Sequence, residues 1–172
     1  VYYNMGIALN DKGDLDAATG SYRQAIKVKP DYAEAYINMG VSLTDQGKLD
    51  TAITCYKQAI KIKPDFAEAN YNMGVALKEK GDLEAAIDSY KQALKIKPDH
   101  QPARTQKLQQ QAHICDWASL ERDQHLISKL GTFNQYIDPF AVLSLEDAPE
   151  RHRLWSELYA KQNFKQKPLP LA

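Results

Sequence analysis

Three asparagines at equal intervals are the first residues in this sequence that could do chemistry together. Asn4, Asn38 and Asn72 follow one another in steps of 34 residues. An amide side chain offers both a hydrogen-bond donor and an acceptor, which suits contact with a polypeptide backbone. If the three amides lie on one face, they form a ladder that can hold main chain with little regard to its side chains.

An acidic residue follows each asparagine by seven positions. Carboxylates near a helix end are usually solvated, so this second row is either plain surface or a further set of binding residues. Together the two rows give six candidate peptide-binding residues: Asn4, Asn38, Asn72, Asp11, Asp45 and Glu79.

The segment His113-Ile114-Cys115-Asp116 contains the residue types of a metal site or a nucleophile. Two candidate ligands two residues apart, without a second pair, do not make a zinc site. No base with an orienting partner is identifiable for the Cys115 thiol. A structural turn anchored by Trp117 is the better interpretation, so the sequence predicts no catalytic residue, no metal and no cofactor.

The elements that position these residues recur with the same period from Val1 to Asp99. Small, aromatic and proline positions repeat in a fixed order, namely Gly6, Gly40 and Gly74; Ala18, Ala52 and Ala86; Tyr22, Tyr56 and Tyr90; Pro30, Pro64 and Pro98. A 34-residue period of this kind is typical of the tetratricopeptide repeat, a helix, a turn and a second helix. The region resembles that family, which implies an all-α, right-handed superhelical solenoid of three repeats.

Start and stop signals place the helices within each repeat. The first helix is predicted to run about 12 residues to a glycine that turns the chain in the left-handed region, and the second to end before the proline. Asp31 with Glu34, and Asp65 with Glu68, have the spacing of a capping box. These two pairs are therefore predicted to cap the first helices of repeats 2 and 3.

A glycine inside each first helix requires a packing reason, because it costs about 1 kcal/mol relative to alanine. We expect Gly6, Gly40 and Gly74 to allow close approach of the paired helices. In this prediction the alanines of the second helices face the glycines, and Tyr22, Tyr56 and Tyr90 fill the wider gap between neighbouring repeats.

The family resemblance implies a binding face. Tetratricopeptide repeats bind partners along the concave groove lined by their first helices, which here carries the six candidates. Neighbouring helices pack about 8–10 Å apart and an extended peptide advances about 3.3 Å per residue, so one asparagine per repeat could meet every third residue or so. Some members clamp a peptide's terminal carboxylate with cations, but the corresponding positions hold no cation: Tyr3, Ile7, Glu34, Asn38, Glu68 and Asn72.

Composition narrows the classes of partner. Lys plus Arg and Asp plus Glu both total 22, so no basic excess favours nucleic-acid binding. The sequence contains no apolar run of about 18 residues, so no membrane span is predicted. Two cysteines in different helical segments favour a reducing, cytoplasmic location. Because Val1 enters the repeat at its third position, we expect a fragment of a longer protein.

The repeat pattern fails after Pro98. A capping helix is predicted over Gln101 to His113, with Gln109-Gln110-Gln111 as an exposed polar side. Two further helices are expected over 117–129 and 150–164, and an extended end after Lys165. The predicted organisation is three repeats over 1–99, a capping and helical junction module over 100–164, and a linker over 165–172 toward an absent catalytic domain.

The tail carries a second resemblance. Cys115-Asp116-Trp117, then Asp138-Pro139-Phe140 and Glu150-Arg151-His152, resemble the junction of the O-GlcNAc transferase family in its bacterial, SPINDLY-like form. The resemblance implies that repeats lead into a two-lobed, UDP-GlcNAc-dependent glycosyltransferase acting on Ser or Thr of proteins, and that the asparagines belong to its acceptor-holding ladder. The animal enzymes have a histidine-rich stretch where this chain has Asp138-Pro139-Phe140-Ala141, so no active-site imidazole is carried over.

Together these features predict a protein-interaction module, and not an enzyme, that binds an extended polypeptide. The resemblance implies the substrate-targeting arm of a transferase whose catalytic domain would follow Ala172. A free-standing repeat scaffold is the chief alternative, and a fragment with enzymatic activity is the second. The sequence after Ala172 would separate the first two.

Overall fold

The computed structural model describes residues 1–113, and this part of the chain is entirely helical and turn. Its helices are α1 (Tyr2–Asp11), α2 (Leu15–Val28), α3 (Ala33–Asp45), α4 (Leu49–Ile62), α5 (Ala67–Lys80), α6 (Leu83–Ile96) and α7 (Gln101–His113). The chain divides into two compact units, 1–110 and 111–172. The helices predicted beyond His113 and the linker lie outside the described residues.

Helices α1 to α6 pack mainly against their neighbours in sequence, and the first helices of successive repeats also touch. The strongest contacts join α1 with α2, α3 with α4 and α5 with α6, followed by α2 with α3 and α4 with α5. Every repeat therefore buries its apolar side against the next, as in a solenoid. The predicted all-α repeat fold is confirmed.

The turns within the repeats follow the glycine signal. Gly13, Gly47 and Gly81 have φ angles of 80°, 71° and 91°, where a side chain would be strained. After each glycine the backbone N–H reaches back five residues, from Asp14 to Leu9, from Lys48 to Leu43 and from Asp82 to Leu77, at 2.8–3.0 Å. This is the bond that closes a helix end in the Schellman motif, and it fixes how each second helix leaves the first.

The predicted capping boxes are wrong. α3 begins after Tyr32 and α5 after Phe66, and neither start has a side-chain cap. The aspartates predicted as caps, Asp31 and Asp65, therefore lie one residue before the N-cap position. Their carboxylates are not placed to accept from the first free N–H groups.

The side-chain caps lie instead on the second helices. Asp14 accepts from the Ala17 backbone N–H and Asp82 from that of Ala85, both at 3.2 Å. Repeat 2 has Lys48 at this position and no side-chain cap. One of the three second helices thus begins without the hydrogen bond that the other two have.

The glycine of each first helix packs against a tyrosine of its own repeat. A Cβ on Gly6, Gly40 or Gly74 would lie 2.5, 2.6 or 2.5 Å from the ring of Tyr22, Tyr56 or Tyr90. The prediction that alanines face these glycines is therefore wrong. A side chain on a helix leans over the turn before it, which brings the ring above the buried alanine four residues earlier.

The same ring also borders the next repeat, so the second half of that prediction is partly correct. Tyr56 is 1% exposed and belongs to one apolar cluster with Ala69 and Ala76 of repeat 3. Each tyrosine thus contributes to both levels of packing, within a repeat and between repeats.

α7 covers the predicted capping range and buries Ala103 and Leu108. His100, the residue before it, caps its start, since the His100 Nδ1 accepts from the Ala103 backbone N–H at 3.2 Å. The predicted exposed polar side is wrong, because Gln110 is only 9% exposed. Three consecutive residues spread over more than half of a helix circumference and cannot share one side. Within residues 1–113, no helix is long and apolar enough to span a membrane.

Candidate functional site

The six candidate residues all lie on the first helices, but their environments differ. Asn4, Asn38 and Asn72 occupy the same position on α1, α3 and α5, where Asn4 is exposed and the other two are half-buried. The three acidic residues lie near the carboxyl ends of the same helices and are exposed. We call the face that these residues share the groove.

A pocket of about 220 Å³ opens in the groove between repeats 1 and 2. Its lining comes from α1, α2 and α3 and consists of Ile7, Asn10, Asp11, Tyr22, Asn38 and Val41. We call this the first-junction pocket. It brings together two candidates from different repeats, Asp11 and Asn38, and the other four candidates do not line it.

Asn38 is held by the tyrosines beside it. Its Nδ2 donates to the Tyr3 Oη at 3.1 Å. Burial raises the pKa of Tyr22 to about 12, with Tyr3 and Asp11 adding to the rise and a hydrogen bond from Asn38 opposing it. The donor side of the amide therefore faces phenol oxygens, while Oδ1 accepts no hydrogen bond within residues 1–113. What Asn38 still offers is an acceptor.

Asn10 is the pocket residue that sequence reasoning missed. The Ser42 hydroxyl lies 2.6 Å from Asn10 Oδ1 and 3.1 Å from the backbone oxygen of Asn38, which ties α1 to α3. The position of Ser42 holds alanine in the other two repeats, as Ala8 and Ala76. Ser42 thus departs from the 34-residue period, and this departure was the signal in the sequence for a polar contact at this position.

The second junction, between repeats 2 and 3, has a different polar arrangement. Thr44 stands where repeat 1 has Asn10, and its hydroxyl lies 3.2 Å from the Tyr56 Oη. Burial raises the pKa of Tyr56 to about 12, with Thr44 lowering it and Asp45 and Glu79 raising it. Here the tyrosine is satisfied by its own repeat rather than by an asparagine of the next one.

The third junction, between repeat 3 and α7, differs again. Lys78 stands at this position, and its Nζ donates to the Gln106 Oε1 at 3.3 Å. The Tyr90 hydroxyl is buried and has no hydrogen-bond partner within the described residues. One position of the repeat thus carries an amide, a hydroxyl and an ammonium group in turn.

The acidic row is not neutralised by the protein itself. Asp11, Asp45 and Glu79 form no ion pair within residues 1–113, where the ion pairs involve Asp16, Glu34, Asp50 and Asp88. After burial, which is the main cause, Asp11 adds to the raised pKa of Tyr22, and Asp45 and Glu79 add to that of Tyr56. In the same part of the chain, no three His, Cys, Asp or Glu side chains come close enough to hold a metal ion.

Comparison with known families matches the repeats directly. A model described as a TPR repeat matches residues 6–44 and 40–81, and a tetratricopeptide repeat model matches residues 67–100. Comparison with curated proteins gave no match.

Solved structures of similar fold are tetratricopeptide repeat domains. The first TPR of Spaghetti (RPAP3), bound to the HSP90 peptide SRMEEVD, has a TM-score of 0.65 at 18% identity and covers 66% of this chain and 90% of its own. The second TPR domain of human RPAP3, in complex with the HSP70 peptide SGPTIEEVD, has a TM-score of 0.60 at 21% identity, covering 62% and 88%. The Arabidopsis OM64 TPR domain has a TM-score of 0.63 at 20% identity, covering 65% and 93%.

At these identities the structural likeness concerns the fold, while the family models match the sequence itself. Together the models span residues 6–100 without a gap. Through these residues the chain belongs to the tetratricopeptide repeat family.

Proposed function

We propose that the chain is a protein-interaction module whose groove binds extended polypeptide segments. The observation that carries the proposal is the first-junction pocket, where Asp11 of repeat 1 and Asn38 of repeat 2 line one concavity. Residues from two repeats meet there at an opening, and unpaired polar groups at an opening are what a ligand can satisfy.

Hydrogen bonding to main chain is the mechanism. Asn38 accepts a backbone N–H at its Oδ1, since its Nδ2 is already engaged by Tyr3. Asn4 and Asn72 have no side-chain partner within residues 1–113, so each can both donate and accept. Recognition of this kind reads the backbone, which makes the groove tolerant of sequence, and the exposed Asp11, Asp45 and Glu79 border the same segment.

The relatives of similar fold point to a contrast in the type of peptide. The two RPAP3 domains are bound to peptides that end in the acidic sequence EEVD. The positions that would clamp a terminal carboxylate here include Glu34 and Glu68, and Glu34 already lies 4.0 Å from Lys63. Repulsion between like charges disfavours an acidic tail in this groove.

Fluorescence anisotropy with a labelled pool of unstructured, Ser/Thr-containing peptides tests the proposal. The intact chain should bind the pool, and the triple variant with Asn4, Asn38 and Asn72 replaced by alanine should lose about tenfold or more in affinity, since each lost hydrogen bond is worth about 0.5–1.5 kcal/mol. A peptide SRMEEVD should bind weakly or not at all. Equal affinity of the intact chain and the triple variant would remove the ladder from the proposal.

A matched control comes from the second helices. Gln24, Gln58 and Gln92 are exposed amides at one position of each repeat, and their replacement by alanine should leave binding unchanged. Because Asn38 also holds Tyr3, circular dichroism and a melting curve must show that the triple asparagine variant is folded. The single variant Asn72→Ala, which breaks no side-chain bond within the described residues, gives a second test free of that complication.

At a finer level, we propose that the groove presents acceptor proteins to a UDP-GlcNAc-dependent glycosyltransferase of the SPINDLY-like family. This rests on the resemblance carried by residues 113–152, most of which lie outside the described part, and on the asparagine ladder. The domain boundaries at 99 and 164, the linker over 165–172 and a cytoplasmic location belong to the same proposal.

The full-length protein decides between this arm and a free-standing scaffold. Two Rossmann-like lobes after Ala172 would support the transferase, and an unrelated or absent domain would favour the scaffold. The 172-residue chain alone, incubated with UDP-GlcNAc and the peptide pool, should give no glycosylated product. Turnover by this chain would contradict its role as a binding arm.

A further inference from the structure

We propose that the first-junction pocket receives a cationic side chain, lysine or arginine, from the polypeptide in the groove. This inference rests on the proposed function and names the class of segment that the groove selects. It follows from the chemistry of the pocket, from its size, and from the different polar groups at the other two junctions.

Two hydrogen-bond acceptors in the polar lining, one on Asp11 and one on Asn38, are open to a ligand. Asp11 contributes an exposed carboxylate without an ion pair in residues 1–113, and Asn38 contributes an Oδ1 without a donor there. The Asn10 Oδ1 already lies 2.6 Å from the Ser42 hydroxyl, so binding of a cation depends on Asp11 and Asn38. Lysine and arginine side chains donate hydrogen bonds and accept none, so a cation matches this lining, and a carboxylate would meet acceptors and a like charge.

The size of the pocket suits one side chain. Its volume of about 220 Å³ is below the roughly 300–1,000 Å³ of small-molecule sites. Ile7 and Val41 supply apolar walls, which match the methylene stem of a lysine or arginine whose charged head lies at the polar end. The apolar walls and the acceptors thus correspond to the two parts of one amphipathic side chain.

The other two junctions have different residues, Thr44 and Lys78, at the position of Asn10. Thr44 is turned onto the Tyr56 hydroxyl, which closes the equivalent polar contact within repeat 2. Lys78 places the protein's own ammonium group at the third junction, bonded to Gln106. The Lys78 ammonium group would repel a ligand cation there. The selection is therefore expected at one point of the groove and not along its length.

Two labelled peptides that differ at one position test the proposal. Both are neutral Gly/Ser/Thr peptides, one with a central lysine and the other with norleucine, which has the same stem without the charge. The intact chain should bind the lysine peptide about three- to tenfold more tightly, as a charge-assisted hydrogen bond is stronger than a neutral one. The preference should fall as salt is raised from 0.05 to about 0.5 M, because Asp11 is exposed and its charge is screened.

Asp11→Asn keeps the shape of the pocket and removes its charge. It should bring the ratio of the two affinities close to one. The matched control Asp88→Asn, which changes an exposed acidic residue of α6 outside the groove, should keep the full preference. The substitution at position 11 is safe for folding, because a carboxylate at a helix carboxyl end opposes the helix dipole and is not needed for stability.

The outcomes separate the inference from the proposed function. If the intact chain binds both peptides equally, or if Asp11→Asn keeps the preference, the cation pocket is overturned and the groove proposal stands. If the intact chain binds neither peptide nor the Ser/Thr pool, the groove proposal fails and the pocket fails with it. A preference that disappears only in Asp11→Asn supports both.

Discussion

The two sides of the repeated tyrosine ring differ in how faithfully they recur. Toward the helix pair, Tyr22, Tyr56 and Tyr90 meet a glycine of their own repeat in almost the same geometry. Toward the groove, their hydroxyls have an asparagine neighbour, a threonine and no partner in turn. The contact that packs the two helices of a repeat is the same in every repeat, and the contact on the groove side changes at each junction.

The largest effect is expected when a methyl group is added to the glycine that contacts the tyrosine ring. In Gly40→Ala the new Cβ would lie 2.6 Å from the Tyr56 ring, whose side chain is 1% exposed and has no room to withdraw. Overpacking of this kind costs about 1–3 kcal/mol. Denaturant unfolding should show the loss, and the bulkier Gly40→Leu should lose more.

Gly20→Ala is the matched control for this experiment. Gly20 lies inside α2, and a Cβ on it would meet nothing within 4 Å. The substitution should stabilise by about 0.5–1 kcal/mol, because alanine has the better helix propensity. A loss of stability in Gly40→Ala with a gain in Gly20→Ala would show that the tyrosine contact is the cause. Changes of the same sign in both variants would contradict the packing argument.

A smaller effect is expected where the repeats differ at a helix start. Asp82→Ala removes the cap of α6 and should cost about 1 kcal/mol. Lys48→Ala, at the same position of repeat 2, breaks only an ion pair to Asp16 between exposed side chains and should change stability by less than about 0.5 kcal/mol. Thermal unfolding of both variants measures the difference, and equal losses would show that the cap contributes nothing.

The variable side can be altered by exchanging one junction for another. Asn10→Thr gives repeat 1 the residue of repeat 2 and should turn its hydroxyl onto Tyr22, as Thr44 is turned onto Tyr56. We expect the preference for the lysine peptide to fall about two- to fivefold, with stability nearly unchanged, since one neutral contact replaces another. An unaltered preference would mean that Asp11 acts without Asn10.

The smallest effect concerns the start of α7, whose cap titrates. Burial lowers the pKa of His100 below its ordinary value, with Lys97 acting in the same direction and Glu68 opposing it. The unfolded chain therefore binds a proton at His100 more readily than the folded chain does. The stability contributed by the neutral imidazole is present above about pH 6.5 and is lost as the pH falls below that value. Protonation also removes the Nδ1 acceptor of the Ala103 N–H.

Comparing His100→Asn with the parent chain measures this term. Asparagine can cap the helix without titrating, so the variant should lose less stability between pH 7.5 and 5.5 in urea unfolding. Parallel pH profiles for the two proteins would show that His100 is not responsible.

Period and turn chemistry made most of the fold predictable. The glycines with positive φ and the prolines after the second helices are local signals, and the observed first and second helices end just before them. The predicted capping boxes were wrong because spacing alone does not say which residue is the last one before the helix. The predicted packing partner of each glycine was wrong because the partner depends on the direction in which a side chain points and not only on where that residue lies in the repeat.

The candidate site was predictable only to the level of which residues share a helix face. That Asn38 and Asp11 meet in one pocket, while Asn72 and Asp45 do not line it, depends on Asn10, Thr44 and the hydrogen bonds that they form. The bond from Asn38 to Tyr3 links residues 35 positions apart, and the position of Tyr3 is an isoleucine, Ile37, in repeat 2. Such links lie outside the period that carried the prediction.

The glycine and tyrosine contact has a consequence for how such a protein can change. Since every repeat presents the same packing surface to its own second helix, a repeat can exchange its groove residues while its helix pair stays intact. Drift or engineering at positions 10, 44 and 78 would then move the point of selectivity along the array, one repeat at a time. Each 34-residue repeat would then contain two sets of positions, one that maintains the packing of the helices and one that can vary with the ligand.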